Sequence, residues 1–577
     1  MNTLKKLNYL FDRKVKVQII LLLFLIILGA LVELVGVAII FPIVDIAMGE
    51  TNLADNKMAN IIMLLTSNSD KNVILLWMIA VTIMIYIIKN CYLVFMNNRL
   101  YAFSANTKRQ MATRLMSAYL KQPYSFFLQK NTSELIRSVN SDTAQLYEIV
   151  LNCLQIVSNG LTALGLVIYL SITNLTMTLT VALLLAVCAF LIVFVLQKRF
   201  RRYGLENQKL SGFLIQYLQQ AFEGVKEIKI LNNERHFIRR YSEAYQEQAN
   251  ITIKYSLFNL IPKYLIEVVC ISGILGYLAI NIVNNPNYME IMPQIAVFCV
   301  SAYKLLPSVN ALYSYTNTVI YHRASIDLVY NDIKEADRLE QSYEHNRSEE
   351  QELIFKDKIE VKDVSFCYND NSFKVLDRVS LTIKKGESVA FIGASGGGKT
   401  TLADNILSLL EPIEGTILVD GEDIRNNIWG WRKKVGYIPQ FIYLTDDTIK
   451  NNVAFGVDEK DIDEKEVWRA LRDAQLEDFV SGLKDGIETK VGERGTRISG
   501  GQRQRIGIAR ALYRNPEVLV FDEATSALDN ETEKEVMKAI EGLQGSKTMI
   551  MIAHRLSTIE NCDSVYQVEK GNIEKKR

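Results

Sequence analysis

The sequence is poor in the side chains that build disulfide frameworks and metal centres. It has seven cysteines, none of them in a Cys-x-x-Cys pair, and four histidines. Five of the cysteines lie inside apolar runs, where a thiol packs as a small hydrophobic group: Cys91, Cys153, Cys188, Cys270 and Cys299. This distribution argues against structural disulfides and cysteine-based metal sites.

The sequence also lacks an excess of charge of either sign and a recognisable cleaved leader. Its 65 basic and 64 acidic side chains give a net charge of +1, so the charge gives no indication of a nucleic-acid partner. The first apolar run is too long for the core of a signal peptide, and no small-residue cleavage site ends it. We therefore expect a retained first helix. The 577 residues are enough for several domains.

Six apolar runs are long enough to cross a bilayer, which takes about 20 residues. They cover residues 17–47, 73–96, 148–173, 175–196, 256–283 and 291–315. The connections 97–147 and 197–255 are rich in lysine and arginine, whereas the segments near 174 and 284–290 carry none. Because basic connections stay inside, this asymmetry predicts that both termini are cytoplasmic. Residues 1–332 are thus predicted to form an all-α transmembrane domain.

Two kinds of connection invite a further interpretation. The basic connections are patterned as helices with turn-like breaks near 122–127 and 222–227, which are either solvated hairpins or tips that dock on the rest of the protein. The external segment 48–72 contains a possible short helix over 57–66. That helix could lie amphipathically at the outer interface or continue the apolar packing of the loop.

Three lysines interrupt the apolar runs: Lys89, Lys263 and Lys304. A cation inside a membrane usually faces a cavity or a partner, and a rise of about 1.5 Å per residue places all three at a similar middle-to-inner depth. This arrangement suits an anionic lipid head group. The alternative is structural, because lysines snorkel and because Glu267, four residues after Lys263, or Glu33 can neutralise a lysine.

The remainder of the chain is of another type. Residues 333–352 are polar and acidic and form a linker, and residues 353–577 alternate strand-like and helix-like runs, as in an α/β domain.

A strand-like run, Ser388 to Ile392, leads into a G-x-x-x-x-G-K-[ST] loop: Gly393, Ala394, Ser395, Gly396, Gly397, Gly398, Lys399 and Thr400. Glycines let backbone N–H groups surround a phosphate chain, the lysine reaches the outer phosphates, and the threonine hydroxyl is available to Mg²⁺. A helix starting at Thr400-Thr401 adds its positive end, so the loop predicts nucleotide binding.

Two further motifs complete a hydrolytic site. An apolar run ends in Asp522-Glu523, where the first carboxylate can hold Mg²⁺ and the second can act as general base toward water. Ser499, Gly500, Gly501 and Gln502 precede a basic helix and form a second phosphate-binding surface about 100 residues from the loop. Such a separation permits the two surfaces to be shared between two copies of the chain.

Together these motifs, with 437–440, 526–529 and 552–555, resemble an ABC transporter ATPase, and the six helices ahead of them resemble a type IV exporter half-transporter. The resemblance implies a domain-swapped homodimer that uses ATP and Mg²⁺. Tyr368 would stack on adenine, Gln440 would touch Mg²⁺ and take part in catalysis, and His554 would contact the γ-phosphate. Ser499 and Gly501 would reach the nucleotide of the opposite chain, and Asp529 would act across the dimer.

A finer resemblance concerns the cargo. The segments 262–267 and 302–310 are similar to segments of lipid-linked oligosaccharide flippases of the PglK type, which line their cavity with basic residues for a pyrophosphate. The expected function is therefore ATP-driven flipping of a polyprenyl-pyrophosphate oligosaccharide or similar anionic glycolipid across a bacterial inner membrane. The alternatives are export of lipid A-type lipids, peptides or drugs, and a nucleotide-gated channel or regulatory protein. The presence of Glu523 argues against the last, because a purely regulatory site need not hydrolyse ATP.

Overall fold

The computed structural model describes the chain apart from residues 1–2, 41, 44–45, 47–56, 67–69, 174, 285–291, 345–352, 369–372, 524–529 and 554–558. The chain divides into two compact units. The first contains residues 1–122 and 130–338, and the second contains Pro123–Gln129 and Leu339–Arg577. The division falls inside the predicted linker 333–352, and the part of that linker up to Glu344 is helical.

The first unit is helical throughout its described regular structure. Its helices are α1 (Thr3–Leu10), α2 (Arg13–Ala38), α3 (Lys57–Thr66), α4 (Lys71–Leu120), α6 (Thr132–Arg137), α7 (Thr143–Thr173), α8 (Leu175–Glu223), α9 (Val225–Leu231), α10 (Glu234–Asn284), α11 (Met292–Tyr321) and α12 (Arg323–Glu344), whose residues after Arg338 belong to the second unit. A π-helical turn, Ser138–Asp142, joins α6 to α7. The short α5 (Tyr124–Gln129) belongs to the second unit.

Four helical stretches of the described residues are long and apolar enough to cross a membrane: Arg13–Ala38, Lys71–Leu120, Thr132–Ile172 and Glu234–Ile280. The two other predicted runs lie in α8 and α11, many of whose side chains fall outside the described part. Large apolar side chains such as Phe24, Ile87 and Val268 are exposed on these helices. Such surfaces suit a lipid solvent rather than water.

The long helices extend well beyond the apolar runs. Helix α4 continues to Leu120 and α8 to Glu223, so the basic connections are helical extensions, as the sequence predicts. Helix α8 packs along α10, and α7 packs along α11. Helix α3 is present at the predicted place, with Ala59 and Ile62 buried and Ile61 and Leu64 exposed.

The second unit is an α/β domain built on two sheets. Its strands are β1 (Lys358–Phe366), β2 (Leu376–Lys384), β3 (Ser388–Ile392), β4 (Glu414–Val419), β5 (Glu422–Asp423), β6 (Val435–Ile438), β7 (Val518–Asp522), β8 (Thr548–Ile552), β9 (Ser564–Glu569) and β10 (Asn572–Lys575). Its helices after α5 are α13 (Lys399–Ile406), α14 (Ile428–Lys434), α15 (Ile449–Val453), α16 (Glu464–Asp473), α17 (Glu477–Ser481), α18 (Gly500–Leu512) and α19 (Asn530–Glu541).

Sheet topology decides where the functional loops meet. One sheet has the antiparallel order β2-β1-β4-β5, and the other has the order β10-β9-β3-β8-β7-β6. The pairs β9–β3, β3–β8, β8–β7 and β7–β6 are parallel. Strands β3, β7 and β8 are buried along most of their length, as expected for a parallel sheet covered on both faces. Their carboxyl ends lie at one edge, where ligands of such sheets bind.

Candidate active site

The phosphate-type loop lies between β3 and α13 in a conformation that demands glycine. Gly393 has φ +139°, and a Cβ there would stand 2.1 Å from the Val568 carbonyl oxygen. Gly398 has φ +106° and would place a Cβ 2.9 Å from the Val375 carbonyl oxygen. A Cβ at Gly397, the additional glycine of the motif, would lie 2.8 Å from Val568 oxygen. These positions therefore tolerate no side chain, which explains the glycine-rich run.

Lys399 lies buried at the start of α13. Its Nζ donates to the carbonyl oxygens of Gly393 at 2.9 Å and Ala394 at 3.0 Å, so the lysine folds back over the loop. Burial lowers the pKa of Lys399, and the nearby Glu523 and Asp522 carboxylates oppose this change. The ammonium is thus placed where phosphate oxygens would replace the carbonyl oxygens as acceptors.

Carboxylates from the neighbouring strand face the loop. Thr400 Oγ1 lies 3.5 Å from Asp522 Oδ1, and Gln440 Nε2 donates to Glu523 Oε2 at 2.8 Å. Burial, followed by the charge of Glu523, raises the pKa of Asp522. A hydroxyl, a carboxylate and an amide are the oxygen ligands that Mg²⁺ accepts, so Thr400, Asp522 and Gln440 fit an Mg²⁺ ion beside bound phosphate.

The structure adds two residues to this set. Tyr437, at the end of β6, donates its hydroxyl to Asp522 Oδ2 at 3.4 Å. Asp404 lies on α13 one turn after Thr400, and burial together with Asp522 raises its pKa to about 7. The sequence signal for Tyr437 was its place three residues before Gln440, but nothing in the sequence indicated that it contacts a carboxylate.

The predicted adenine contact, Tyr368, lies beside α13, whereas the second phosphate surface, 499–502, lies at the start of α18. Tyr368 is partly exposed, and its hydroxyl lies 2.9 Å from Thr401 Oγ1. Ser499 caps α18 and exchanges hydrogen bonds with Gln502 in a capping box. Ser499 and Gly500 are exposed, and within the described part of the chain no hydrogen bond or ion pair joins 499–502 to 393–401. The chain therefore presents two separate phosphate-type surfaces.

His554 and Asp529 lie outside the described residues. The strand that precedes His554, β8, pairs with β3 on one side and β7 on the other. Ala553 N donates to the Phe391 carbonyl oxygen at 3.1 Å, so the backbone leading to His554 emerges beside the phosphate-type loop.

The membrane lysines do not share one environment. Lys89 is 1% exposed, and its Nζ lies 3.5 Å from Glu33 Oε1 and 4.4 Å from the centre of the Tyr86 ring. A Cβ at Gly36 would meet Lys89 Cδ at 3.0 Å, so α2 and α4 enclose this lysine. The contacts of Lys89 thus favour the structural alternative for this one residue.

Lys263 differs from Lys89. It is exposed on α10 and, within the described residues, makes no ion pair with Glu267. Its Nζ lies 5.9 Å from the centre of the Tyr264 ring. The backbone of Lys304 lies in α11, but its side chain is outside the described part. Of the three lysines, Lys263 is the one whose described side chain is accessible.

Comparison with known proteins identifies the family. The profile of the ABC transporter transmembrane region matches residues 19–276, and that of the ABC transporter ATPase domain matches residues 376–526. An ATP-dependent lipid A-core flippase of Ralstonia nicotianae is 31% identical over 471 residues, 81% of this chain and 78% of its own. The chain belongs to the ABC transporter family. A flippase of the same name from Vibrio cholerae is 31% identical over 474 residues, 82% of this chain and 80% of its own.

A solved structure agrees with the fold of this ABC transporter. A bacterial Atm1-family ABC exporter with ATP bound matches with a TM-score of 0.78 and 22% identity, covering 97% of this chain and 95% of its own. The protein is therefore an integral membrane half-transporter of the exporter type, in which ATP hydrolysis drives transport. Its cofactors are ATP and Mg²⁺, as the sequence predicts.

Proposed function

We propose that the protein is an ATP-driven flippase for a lipid with a phosphorylated, anionic head group in a bacterial inner membrane. The observation that carries this proposal is the similarity over four-fifths of the chain to ATP-dependent lipid A-core flippases. These names favour a lipid A-type cargo, the alternative considered in the sequence analysis, over an oligosaccharide linked to polyprenyl pyrophosphate. The oligosaccharide remains the second candidate because segments 262–267 and 302–310 resemble PglK-type flippases.

The residues of the ATP site take roles that their positions support. Lys399 binds the outer phosphates, Thr400, Asp522 and Gln440 hold Mg²⁺, and Glu523 accepts a proton from the attacking water. Tyr368 stacks on adenine once it leaves Thr401, and His554 contacts the γ-phosphate. Held by these residues, Mg²⁺ would supply positive charge beside the phosphates. Gln440 donates to Glu523 at 2.8 Å and thereby orients the base.

Two chains complete two sites in this proposal, because among the described residues no hydrogen bond or ion pair joins Ser499 to the loop at 393–400 of the same chain. Both chains then lie with their termini and ATP-binding domains in the cytoplasm, as the basic connections predict. Each unit also exposes apolar side chains suited to contact between the chains. Phe222 is 71% exposed at the end of α8, and Phe441 is 77% exposed after Gln440.

Cross-linking tests the homodimer. In a chain carrying Phe222→Cys and Phe441→Cys, we expect a short thiol cross-linker to give a covalent dimer in membranes, since the turn of one chain docks beside Gln440 of the other. The measurement is the band of doubled mass on a denaturing gel. The matched control pairs Phe222→Cys with Phe373→Cys, which is also 77% exposed but lies in the antiparallel-sheet region. Equal dimer yields from the two pairs, or none above the parent chain, would contradict this docking.

The cargo is tested through Lys263. Replacing Lys263 with alanine should raise the concentration of phosphorylated lipid that half-maximally stimulates the ATPase by about 10- to 140-fold, because one hydrogen bond to a charged group contributes about 1.5–3 kcal/mol. The assay compares lipid A, a polyprenyl-pyrophosphate oligosaccharide, their dephosphorylated forms, a peptide and a drug, with flipping in vesicles as the second readout.

Lys254→Ala is the matched control, since Lys254 is an exposed lysine on the same helix nine residues earlier. Lys89 is left intact, because removing one partner of a buried ion pair destabilises the protein whatever its role. Stimulation by lipid A alone supports the main proposal, and stimulation by the pyrophosphate lipid alone supports the second. Equal responses to phosphorylated and dephosphorylated lipids would refute an anionic head group as the recognised feature.

A further inference from the structure

Hydrogen bonds of Arg510 and Asn452, here called the joint, connect the helix that follows Ser499 to the segment that follows Gln440. Arg510, in the last turn of α18, donates from Nη1 to the Tyr443 carbonyl oxygen at 2.7 Å and from Nε to the Asn452 carbonyl oxygen at 2.8 Å. Its Nη2 donates to Asn452 Oδ1 at 3.0 Å. The guanidinium also lies 4.6 Å from the centre of the Phe455 ring. Arginine is the side chain that can donate from three nitrogens at once and also pack its guanidinium against an aromatic ring.

Asn452 is the other half of the joint, and its amide is fully used. The side chain is 0% exposed. Besides Arg510, its Oδ1 accepts from Thr445 N at 3.0 Å, and its Nδ2 donates to the carbonyl oxygens of Thr445 at 3.1 Å and Thr448 at 3.0 Å. A fully satisfied buried network holds one arrangement of the backbone. The segment from Tyr443 to Thr448 is therefore fixed to α18.

Apolar contacts also join α18, and the residues before Ser499, to the segment that follows Gln440. A Cβ at Gly507 of α18 would stand 2.3 Å from Ile442 Cδ1, two residues after Gln440. A Cβ at Gly495 would stand 3.0 Å from Leu444 Cδ1. Ile442, Leu444 and Ile506 belong to one buried cluster. Since cores pack densely, a displacement of α18 is carried to the residues after Gln440.

We propose that Arg510 and Asn452 are positioning residues for ATP hydrolysis, which make the Gln440 segment and the Ser499 surface move as one body. Gln440 contacts Glu523 in its own chain, whereas Ser499 is directed to a second chain. The joint thus links the base of one ATP site to the phosphate-binding surface of the other. This rests on the proposed homodimer, and the cross-linking of Phe222 to Phe441 reports failure of that dimer independently of turnover.

The test separates turnover from binding and folding. Arg510→Lys keeps the charge but loses the fork, so kcat should fall about 10- to 100-fold, as expected when catalytic groups are displaced by about 1 Å. The KM for ATP should change little, because Lys399 and its loop are untouched. The thermal midpoint of the dimer should fall but stay above the assay temperature, because the carbonyl oxygens of Tyr443 and Asn452 lose a donor. Asn452→Ala combined with Arg510→Lys should be no worse than the more severe single variant, since residues acting as a unit are non-additive.

A rescue experiment perturbs the joint from its apolar side. As a single change, Gly507→Ala should lower kcat, because its methyl group collides with Ile442. Adding Ile442→Ala should restore kcat, because the smaller side chain leaves room for that methyl group. Arg472→Lys is the control, since Arg472 is exposed and forms a two-pronged pair with Glu477 at 2.7 Å. A normal kcat for Arg510→Lys would overturn the proposal. So would a parallel loss of kcat, ATP binding and thermal stability, or a failure of Ile442→Ala to rescue Gly507→Ala.

Discussion

Replacing Glu523 with glutamine is expected to lower ATP turnover about 10²- to 10⁴-fold while ATP binding is retained, which is the range for removing a general base. The glutamine keeps the shape of the side chain and a hydrogen-bonding partner for Gln440 Nε2, which now donates to Glu523 at 2.8 Å. It also leaves the loop and Lys399 unchanged. Phosphate release by the purified dimer measures turnover, and binding of a fluorescent ATP analogue measures occupancy.

Glu560→Gln is the control for this experiment, since Glu560 is an exposed carboxylate of the same unit. The isosteric change matters because Glu523 has a left-handed backbone, with φ +48°. A strained backbone at a functional residue persists when its surroundings hold it, and glutamine leaves those surroundings intact. Turnover within twofold of the wild type would exclude Glu523 as the base.

Replacing Lys399 with alanine is expected to have the opposite signature, a loss of ATP binding. The dissociation constant should rise about 30- to 4,000-fold, because truncating one partner of a buried charge pair costs about 2–5 kcal/mol and each 1.4 kcal/mol is about tenfold. The lysine now bonds the carbonyl oxygens of Gly393 and Ala394. Loss of those two contacts alone should lower stability far less than it lowers affinity.

Titration calorimetry of the two variants distinguishes binding from chemistry in one site. Lys362→Ala serves as the control, because Lys362 is exposed on β1 and pairs loosely with Glu360 at 3.5 Å. Wild-type affinity in Lys399→Ala would show that the backbone N–H groups and the helix end suffice for the phosphates. Weak binding by Glu523→Gln as well would show that the carboxylate acts in assembling the site rather than in the chemical step.

Functional motifs and helices formed by consecutive residues could be predicted from the sequence. The loop at 393–400 binds phosphate largely through its own backbone, so its glycines and lysine can be recognised in the sequence. The structure gives the steric reason why glycine is required at Gly393 and Gly398. The pair Asp522-Glu523 follows the same logic at the end of a buried strand. Apolar runs likewise predicted the membrane helices, because a bilayer imposes their length.

Contacts between distant elements could not be predicted in this way. Glu33 was a possible partner for a membrane lysine from the sequence, but only the packing of α2 on α4 shows that this lysine is Lys89, at 3.5 Å. Tyr437 and Asp404 approach Asp522 because β6 pairs with β7 and α13 follows β3. The two residues of each pair are too far apart in the sequence for a single helix or turn to bring them into contact.

The sequence by itself determined that this protein binds and hydrolyses a nucleotide beside a membrane domain, because the chemistry of phosphate binding resides in short, contiguous motifs. The tertiary structure alone decided which charges are already paired and which segments are joined. Arg510 binds the carbonyl oxygens of Tyr443 and Asn452, 67 and 58 residues away. Backbone carbonyls are common to every residue, so a contact with them leaves no side-chain pattern and depends on the fold that brings the segments together.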